Sequence, residues 1–242
     1  MALPCFHIDL AAFEPGARLV LPETTSRHLV QVLRMQPGNA LLLTNGQGSL
    51  AEAEVEHADR KHCRVLVRLV NRVTRPGPMV TLAVSLLKNA ARFEWLLEKA
   101  AELGIIEIIP LVCARSEKTA FRRDRLNNIL ISAMLQSQQA YQTNLSEPRR
   151  LQELVADTQY HLKYLAHCSD TRTRFSLTSV IKDNPGLNAS RLILIGPEGD
   201  FTPEEIGLAA DNGFVEVSLG ETRLRTETAA ITACVLLSRL AS

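Results

Sequence analysis

The chain has 242 residues, of which 46% are hydrophobic and 22% charged, enough to bury a full core and to form one domain or two. Its 27 basic and 26 acidic residues leave a formal net charge of +1, which gives no support to nucleic-acid binding by wholesale basic coating and is silent on partners. No run approaches the ~18 apolar residues of a membrane span, the first residues lack the pattern of a secretory signal, and the five cysteines are scattered without a Cys-x-x-Cys pair. A cytoplasmic protein with no disulfide framework, no metal site and no membrane partner is expected.

In chain order, residues 1–72 carry short β-type runs at 5–8, 40–44 and 63–70, separated by turn signals at Pro15-Gly16, Pro37-Gly38 and Asn45-Gly46-Gln47-Gly48. One helix interrupts them at 25–35, with Leu29, Val32 and Leu33 as its inward stripe. A small β-rich domain follows from this, ending at the linker Arg75-Pro76-Gly77-Pro78. From residue 73 onward strands at 80–86, 105–111, 160–166, 191–195 and 214–219 alternate with helices at 92–103, 122–139, 203–212 and 226–240. That alternation predicts an α/β domain with a mostly parallel sheet covered on both faces. The last helix is apolar nearly all round, through Ala229, Ala230, Ile231, Ala233, Val235, Leu236 and Leu237. Such a helix must be buried, by the chain's own core or by a second subunit.

Two loops carry the chemistry. At Ile195-Gly196-Pro197-Glu198-Gly199-Asp200-Phe201-Thr202-Pro203 an apolar strand stops and a helix starts, with Thr202 suited to the N-cap and Pro203 to the first helical position. Ligands of open α/β sheets bind beyond the carboxyl ends of the strands, although a purely structural turn would look the same. Phosphate binding is the first rival. No Gly-x-x-x-x-Gly-Lys or Gly-x-Gly-x-x-Gly is present, and Glu198 and Asp200 would repel a polyphosphate, so a neutral or cationic ligand fits better. A valine at Gly196 is expected to fill such a pocket. The second loop runs Leu219-Gly220-Glu221-Thr222-Arg223-Leu224-Arg225-Thr226-Glu227-Thr228. There Arg225 and Glu227 either serve a site or pair locally.

Taken together, Ile195-Gly196-Pro197-Glu198-Gly199, Leu219-Gly220 and Leu224-Arg225-Thr226-Glu227-Thr228-Ala229 resemble the signature of the SPOUT-class small-subunit rRNA uridine-N3 methyltransferases. The likeness extends to Lys88, Glu98 to Gly104, Arg115-Ser116, and His28 to Arg34 with Gly38 and Asn45-Gly46. The chain departs from the family pattern at Cys5, where an arginine is usual, at Asp200, where a second glycine is usual, and around Gln136, which lacks its usual acidic and arginine neighbours.

The resemblance implies a PUA-like β-barrel for RNA docking over 1–72 and an α/β trefoil-knot methyltransferase domain over 73–242. It implies S-adenosylmethionine as cofactor, a homodimer, and N3 of a uridine in 16S rRNA of the small ribosomal subunit as target. Carried over by position, the cofactor pocket comprises Ala166, His167, Ile195, Gly196, Pro197, Glu198, Gly199, Leu219, Gly220, Leu224, Arg225, Thr226, Glu227 and Ala229. Arg225 is the candidate cation for charge developing on the base, and Glu198 or Glu227 the candidate proton acceptor. Arg27, Arg34, Lys88, Arg115, Lys118 and Arg122 are candidate phosphate contacts. A non-catalytic RNA-binding module and a nucleotide-phosphate enzyme on an ordinary doubly wound fold are the alternatives.

Overall fold

The computed structural model describes residues 3–75, 77–117, 120–157, 159–183 and 189–239. Its contacts divide it into two compact units. The first gathers Met1–Arg75 and Met134–Gln142, the second Pro76–Ala133 and Thr143–Ser242.

In the first unit, β1 (Cys5–His7), β2 (Arg18–Val20), β3 (Ala40–Thr44), β4 (Ser49–His57) and β5 (Arg64–Arg72) form a sheet in the order β1-β3-β4-β5-β2. Only β1 and β3 run parallel in it. β4 escapes a hydrophobicity reading because its buried residues are small. Ala51, Ala53 and Val55 point into the core, while Glu54 and Glu56 on the other face pair with Arg68 and Arg18.

The helix of this unit differs from expectation. α1 (Glu23–Arg27) passes into a π turn over His28–Val32, closed by Leu33 N–H donating to His28 O at 3.0 Å. The wider turn shifts the helical phase. Leu29 and Met35 are therefore buried, whereas Val32 and Leu33, expected inside, are 67% and 42% exposed.

A single cut after residue 72 also misses one segment of this unit. Within it, Tyr141 donates its hydroxyl to Val73 O at 2.9 Å, and the Arg75 guanidinium lies 4.4 Å above the same ring. Gly48 sits under that ring, with φ +90° and space for a Cβ only 2.4 Å from Tyr141 carbon, so no other residue fits there.

The second unit is a parallel sheet built from β6 (Met79–Ser85), β7 (Glu107–Val112), β8 (Asn144–Leu145), β9 (Arg149–Arg150), β10 (Leu162–Ala166), β11 (Phe175–Ser176), β12 (Ser190–Ile195) and β13 (Val215–Ser218). The order is β11-β13-β10-β12-β6-β7-β8, with β9 also beside β7. Its helices are α2 (Ala90–Glu102), α3 (Arg123–Gln136), α4 (Leu151–Val155), α5 (Leu177–Asp183), α6 (Pro203–Asp211) and α7 (Thr226–Arg239). Alternate residues of the central strand face opposite layers. Ile193 and Ile195 of β12 join the core under α2, α5 and α7, and Leu192 and Leu194 join the one under α4 and α6. This is the doubly covered sheet that the alternation of elements predicts.

Much of the apolar surface of α7 is buried within the chain. Ala230, Ala233, Cys234 and Leu237 are buried in the chain's own core, while Val235 is 40% exposed. Although β13 neighbours β10, α7 packs on β6, β12 and α2. It is tied along β12 at both ends: the Thr226 hydroxyl donates to Gly196 O at 3.1 Å, and the buried Arg191 donates from Nη1 to Leu237 O at 2.9 Å. Among the described residues no helix is long and apolar enough to cross a membrane.

Candidate functional site

β13, β10 and β12 are neighbours in the sheet, and the loops leaving their carboxyl ends enclose a cavity of about 590 Å³. That volume suits a small organic ligand, and the location is the usual one for open parallel sheets.

The loop after β12 forms one wall, and segments from three other places hold it. Thr226, at the start of α7, bonds Gly196 O. Arg115, in the loop after β7, donates from Nη1 to Gly199 O at 2.7 Å and to Phe201 O at 3.3 Å. Cys168, after β10, donates its N–H to Asp200 Oδ2 at 2.8 Å. The loop then runs into α6 through a complete capping box between Thr202 and Glu205. Buried Glu205 extends that box, since its Oε1 also accepts from Ala114 N at 2.7 Å. The cap at Thr202 is as the sequence predicts; the second bond of Glu205 has no local signal.

The opposite wall is the segment after β10. His167 is buried and accepts at Nδ1 from Ser169 N–H at 3.2 Å. A backbone N–H can only donate, so the ring proton sits on Nε2 and is given to Glu216 at 2.9 Å. Arg172 grips the same carboxylate with two nitrogens at 2.7 and 2.5 Å. The Arg172 bonds, assisted by that from His167, hold the Glu216 carboxyl below the usual carboxylate range against partial burial. Arg174 closes the strap by donating to His167 O at 2.7 Å.

Of the expected pocket residues, Ala166, His167, Ile195, Gly196, Pro197, Glu198, Leu219, Gly220, Leu224, Arg225, Thr226 and Ala229 line the cavity. Gly199 and Glu227 do not. Gly199 instead faces the Arg115 side chain, and Glu227 is buried with Arg92 of α2 at 3.7 Å rather than paired with Arg225. Gly196 also has a packing reason for being glycine. A Cβ there would lie 3.1 Å from the buried Phe201 ring, so a valine would collide with the core before it filled the cavity. Sequence reading missed Cys168, Asp170, Arg174 and Arg223 as lining residues. Their signal was position alone, in the segment between β10 and β11 or inside the second glycine loop.

The cavity's charge is mixed, with Asp170, Glu198, Asp200 and Glu221 against Arg174, Arg223 and Arg225. Glu198, Arg223 and Arg225 are exposed and have no side-chain hydrogen bond or ion pair among the described residues. A carboxylate and two guanidinium groups are thus free to meet a ligand. Of the expected phosphate contacts, Arg27 pairs with Glu23 at 2.6 Å and Lys88 with Glu117 at 3.3 Å. Arg34 and Arg122 are exposed, Arg115 holds the β12 loop, and Lys118 lies outside the described residues.

Comparison with known proteins gives this arrangement a family. Residues 74–238 match a model described as the RNA methyltransferase domain, and residues 21–68 one described as the RNA methyltransferase PUA domain. Ribosomal RNA small subunit methyltransferase E of Mycobacterium bovis is 31% identical, over 96% of this chain and 90% of that protein. A "probable rRNA-methyltransferase" from Porphyromonas gingivalis superposes with a TM-score of 0.85 at 37% identity, covering 96% of this chain and 95% of the other. Ribosomal RNA small subunit methyltransferase E of Neisseria gonorrhoeae, solved bound to S-adenosyl methionine, does so with a TM-score of 0.83 at 25% identity, covering 97% and 96%. With a family match that spans most of the second unit and this cavity, the chain belongs to the RNA methyltransferases, preceded by the PUA domain that accompanies them.

Proposed function

We propose that this chain methylates N3 of a uridine in 16S rRNA of the small ribosomal subunit, with S-adenosylmethionine as the donor. The observation that carries the proposal is the cavity beyond β10, β12 and β13, where unpaired Glu198 and Arg225 share one lining. Its relatives' names and the ligand in the N. gonorrhoeae structure support the same reading.

The residues fit such a donor. Glu198 and the other carboxylates favour a cation over a phosphate, the glycine loops bring backbone close, and Ile195, Val217, Leu219, Leu224 and Ala229 supply apolar wall. When bound, S-adenosylmethionine supplies an electrophilic methyl group on a positively charged sulfur. The protein must then remove the imide proton of the base and tolerate the negative charge that spreads to its oxygens. Glu198, exposed at the cavity, accepts the proton; Glu227, buried against Arg92, orients the start of α7 instead. Arg225 offsets the charge on the base oxygens. N3 lies on the Watson-Crick edge, so the base enters unpaired.

Arg27 and Lys88 are held only by surface ion pairs, worth at most about 1 kcal/mol, which a phosphate readily replaces. With Arg34, Lys118 and Arg122 they are the proposed backbone contacts, and the first unit the proposed docking module. Arg115 is reassigned to holding the β12 loop. The placement of α7 beyond its neighbouring strand is read as the thread of a trefoil knot. Exposed Trp95 and Val235 on packed α2 and α7 are read as part of a homodimer face, in a cytoplasmic enzyme.

Incubation with methyl-labelled cofactor and either unmodified small subunits or free 16S rRNA, followed by mapping of the modified base, tests the proposal. Label at uridine N3 is expected. Cofactor binding without transfer would make the chain a non-catalytic RNA binder, and absence of cofactor binding would remove the basis of the assignment.

A further inference from the structure

The geometry points to Asp200 as a positioning residue that clasps two walls of the cavity together and so sets the shape in which the ligand is received; this rests on the reading of the cavity as a cofactor site. Asp200 has φ 62°, in the left-handed region where glycine is the ordinary choice. Among other residues, aspartate and asparagine tolerate it best, because a short polar side chain can bond nearby backbone. Its own N–H closes the turn by donating to Pro197 O at 2.9 Å. Glycine would make the same turn with less strain.

What glycine could not do is reach across. One carboxylate oxygen of Asp200, Oδ1, accepts from the neighbouring Phe201 N–H at 2.8 Å, a local bond. The other, Oδ2, accepts from Cys168 N–H at 2.8 Å, 32 residues earlier in the chain. Cys168 opens the strap after β10, and both Cys168 and Asp200 line the cavity. No cation pairs with Asp200 among the described residues, so backbone N–H groups alone satisfy its charge. Bonds to an ionised acceptor are among the stronger ones. The strap is secured to the sheet by Arg172, which reaches Glu216 of β13, and is closed on itself by Arg174 at His167 O. Asp200 is the side chain that secures it to the β12 loop. Without that link the two walls would have to be brought into register by the ligand, at the ligand's expense in affinity.

Asp200→Gly removes both side-chain bonds but relieves the backbone strain at φ 62°, so the two effects offset and folding is retained with only a small change in melting temperature. Affinity for S-adenosylmethionine should fall about tenfold, as for one charge-assisted bond. Affinity for S-adenosylhomocysteine, which lacks the positive sulfur, should fall by the same factor, because the clasp acts on shape. Hydrogen exchange at the Cys168 N–H should quicken. Asp200→Asn keeps an acceptor for one of the two N–H groups and should lie between wild type and Asp200→Gly. Unchanged affinity for both ligands, or a loss confined to S-adenosylmethionine, would overturn the clasp; the latter would mean that Asp200 acts by charge alone. Wild-type protein that binds neither ligand would overturn the cofactor reading, and the clasp with it.

Discussion

Replacing Thr226 by valine tests whether the end of α7 holds the cavity's floor in place. The side chains are nearly the same shape, so the change opens no void and removes only the hydroxyl. In the native structure that hydroxyl is buried at 5% exposure and donates to Gly196 O at 3.1 Å. Its loss forfeits a bond worth about 0.5–1.5 kcal/mol and strands a buried carbonyl, which raises the total to roughly 1–3 kcal/mol. For a chain of this size the melting temperature should drop by roughly 3–10 °C. Calorimetric melting of the wild type, Thr226→Val and Thr226→Ser measures this directly, since serine restores the donor. Cofactor affinity should fall in parallel, because Gly196 lines the cavity. A valine variant that melts with the wild type would refute the claim that this bond fixes the loop.

Arg225→Ala should lower kcat by about 10²–10³ with little change in melting temperature, since the side chain has no partner among the described residues; full turnover in the purified variant would exclude it from the chemistry. Glu198→Gln should cost about 10²–10⁴ in rate, whereas Glu227→Gln should act chiefly on stability by unpairing Arg92, and the reverse pattern would exchange their roles. Burial pushes the Cys113 and Cys234 thiols up to about 12, so an aromatic disulfide reagent should modify exposed Cys168 first, and S-adenosylmethionine should slow that reaction; equal rates with and without the cofactor would contradict the cavity's occupant. The depressed carboxyl of Glu216 contributes stability that is complete above the usual carboxylate range and is lost as the pH falls through its lowered value. Melting temperature should therefore fall less steeply on acidification in Glu216→Gln than in the wild type, and parallel curves would show that the His167–Glu216–Arg172 network adds nothing.

The parts of this molecule that could be read from its sequence are those governed by local rules. Thr202, Pro203 and Glu205 announce a helix start by residue type and spacing, and α6 begins there. The apolar runs of β6, β10 and β12 announce a parallel sheet because both of its faces are covered. What escaped depends on irregular backbone geometry or on partners distant in the chain. Val32 and Leu33 fit an inward stripe until a π turn alters the phase, and Glu227 sits beside Arg225 in sequence yet pairs with Arg92. Asp200 showed only as a missing glycine, because the N–H it accepts from is far away in the chain. The pocket's location was legible in two glycine loops, but the donor and the target nucleotide came from resemblance to a family.

The segment Met134–Gln142 gives the first unit an unusual order of assembly. A chain made from its N-terminus presents every strand of that unit by Arg72, yet Tyr141, which covers Gly48 and anchors Val73, arrives only after β6, α2, β7 and all of α3 have been made. Domains usually fold in order of synthesis; this one has its full set of contacts only once Gln142 has been made. A fragment cut at the linker would keep every strand of the first unit but lose Tyr141, its hydroxyl bond to Val73 and its cover over Gly48.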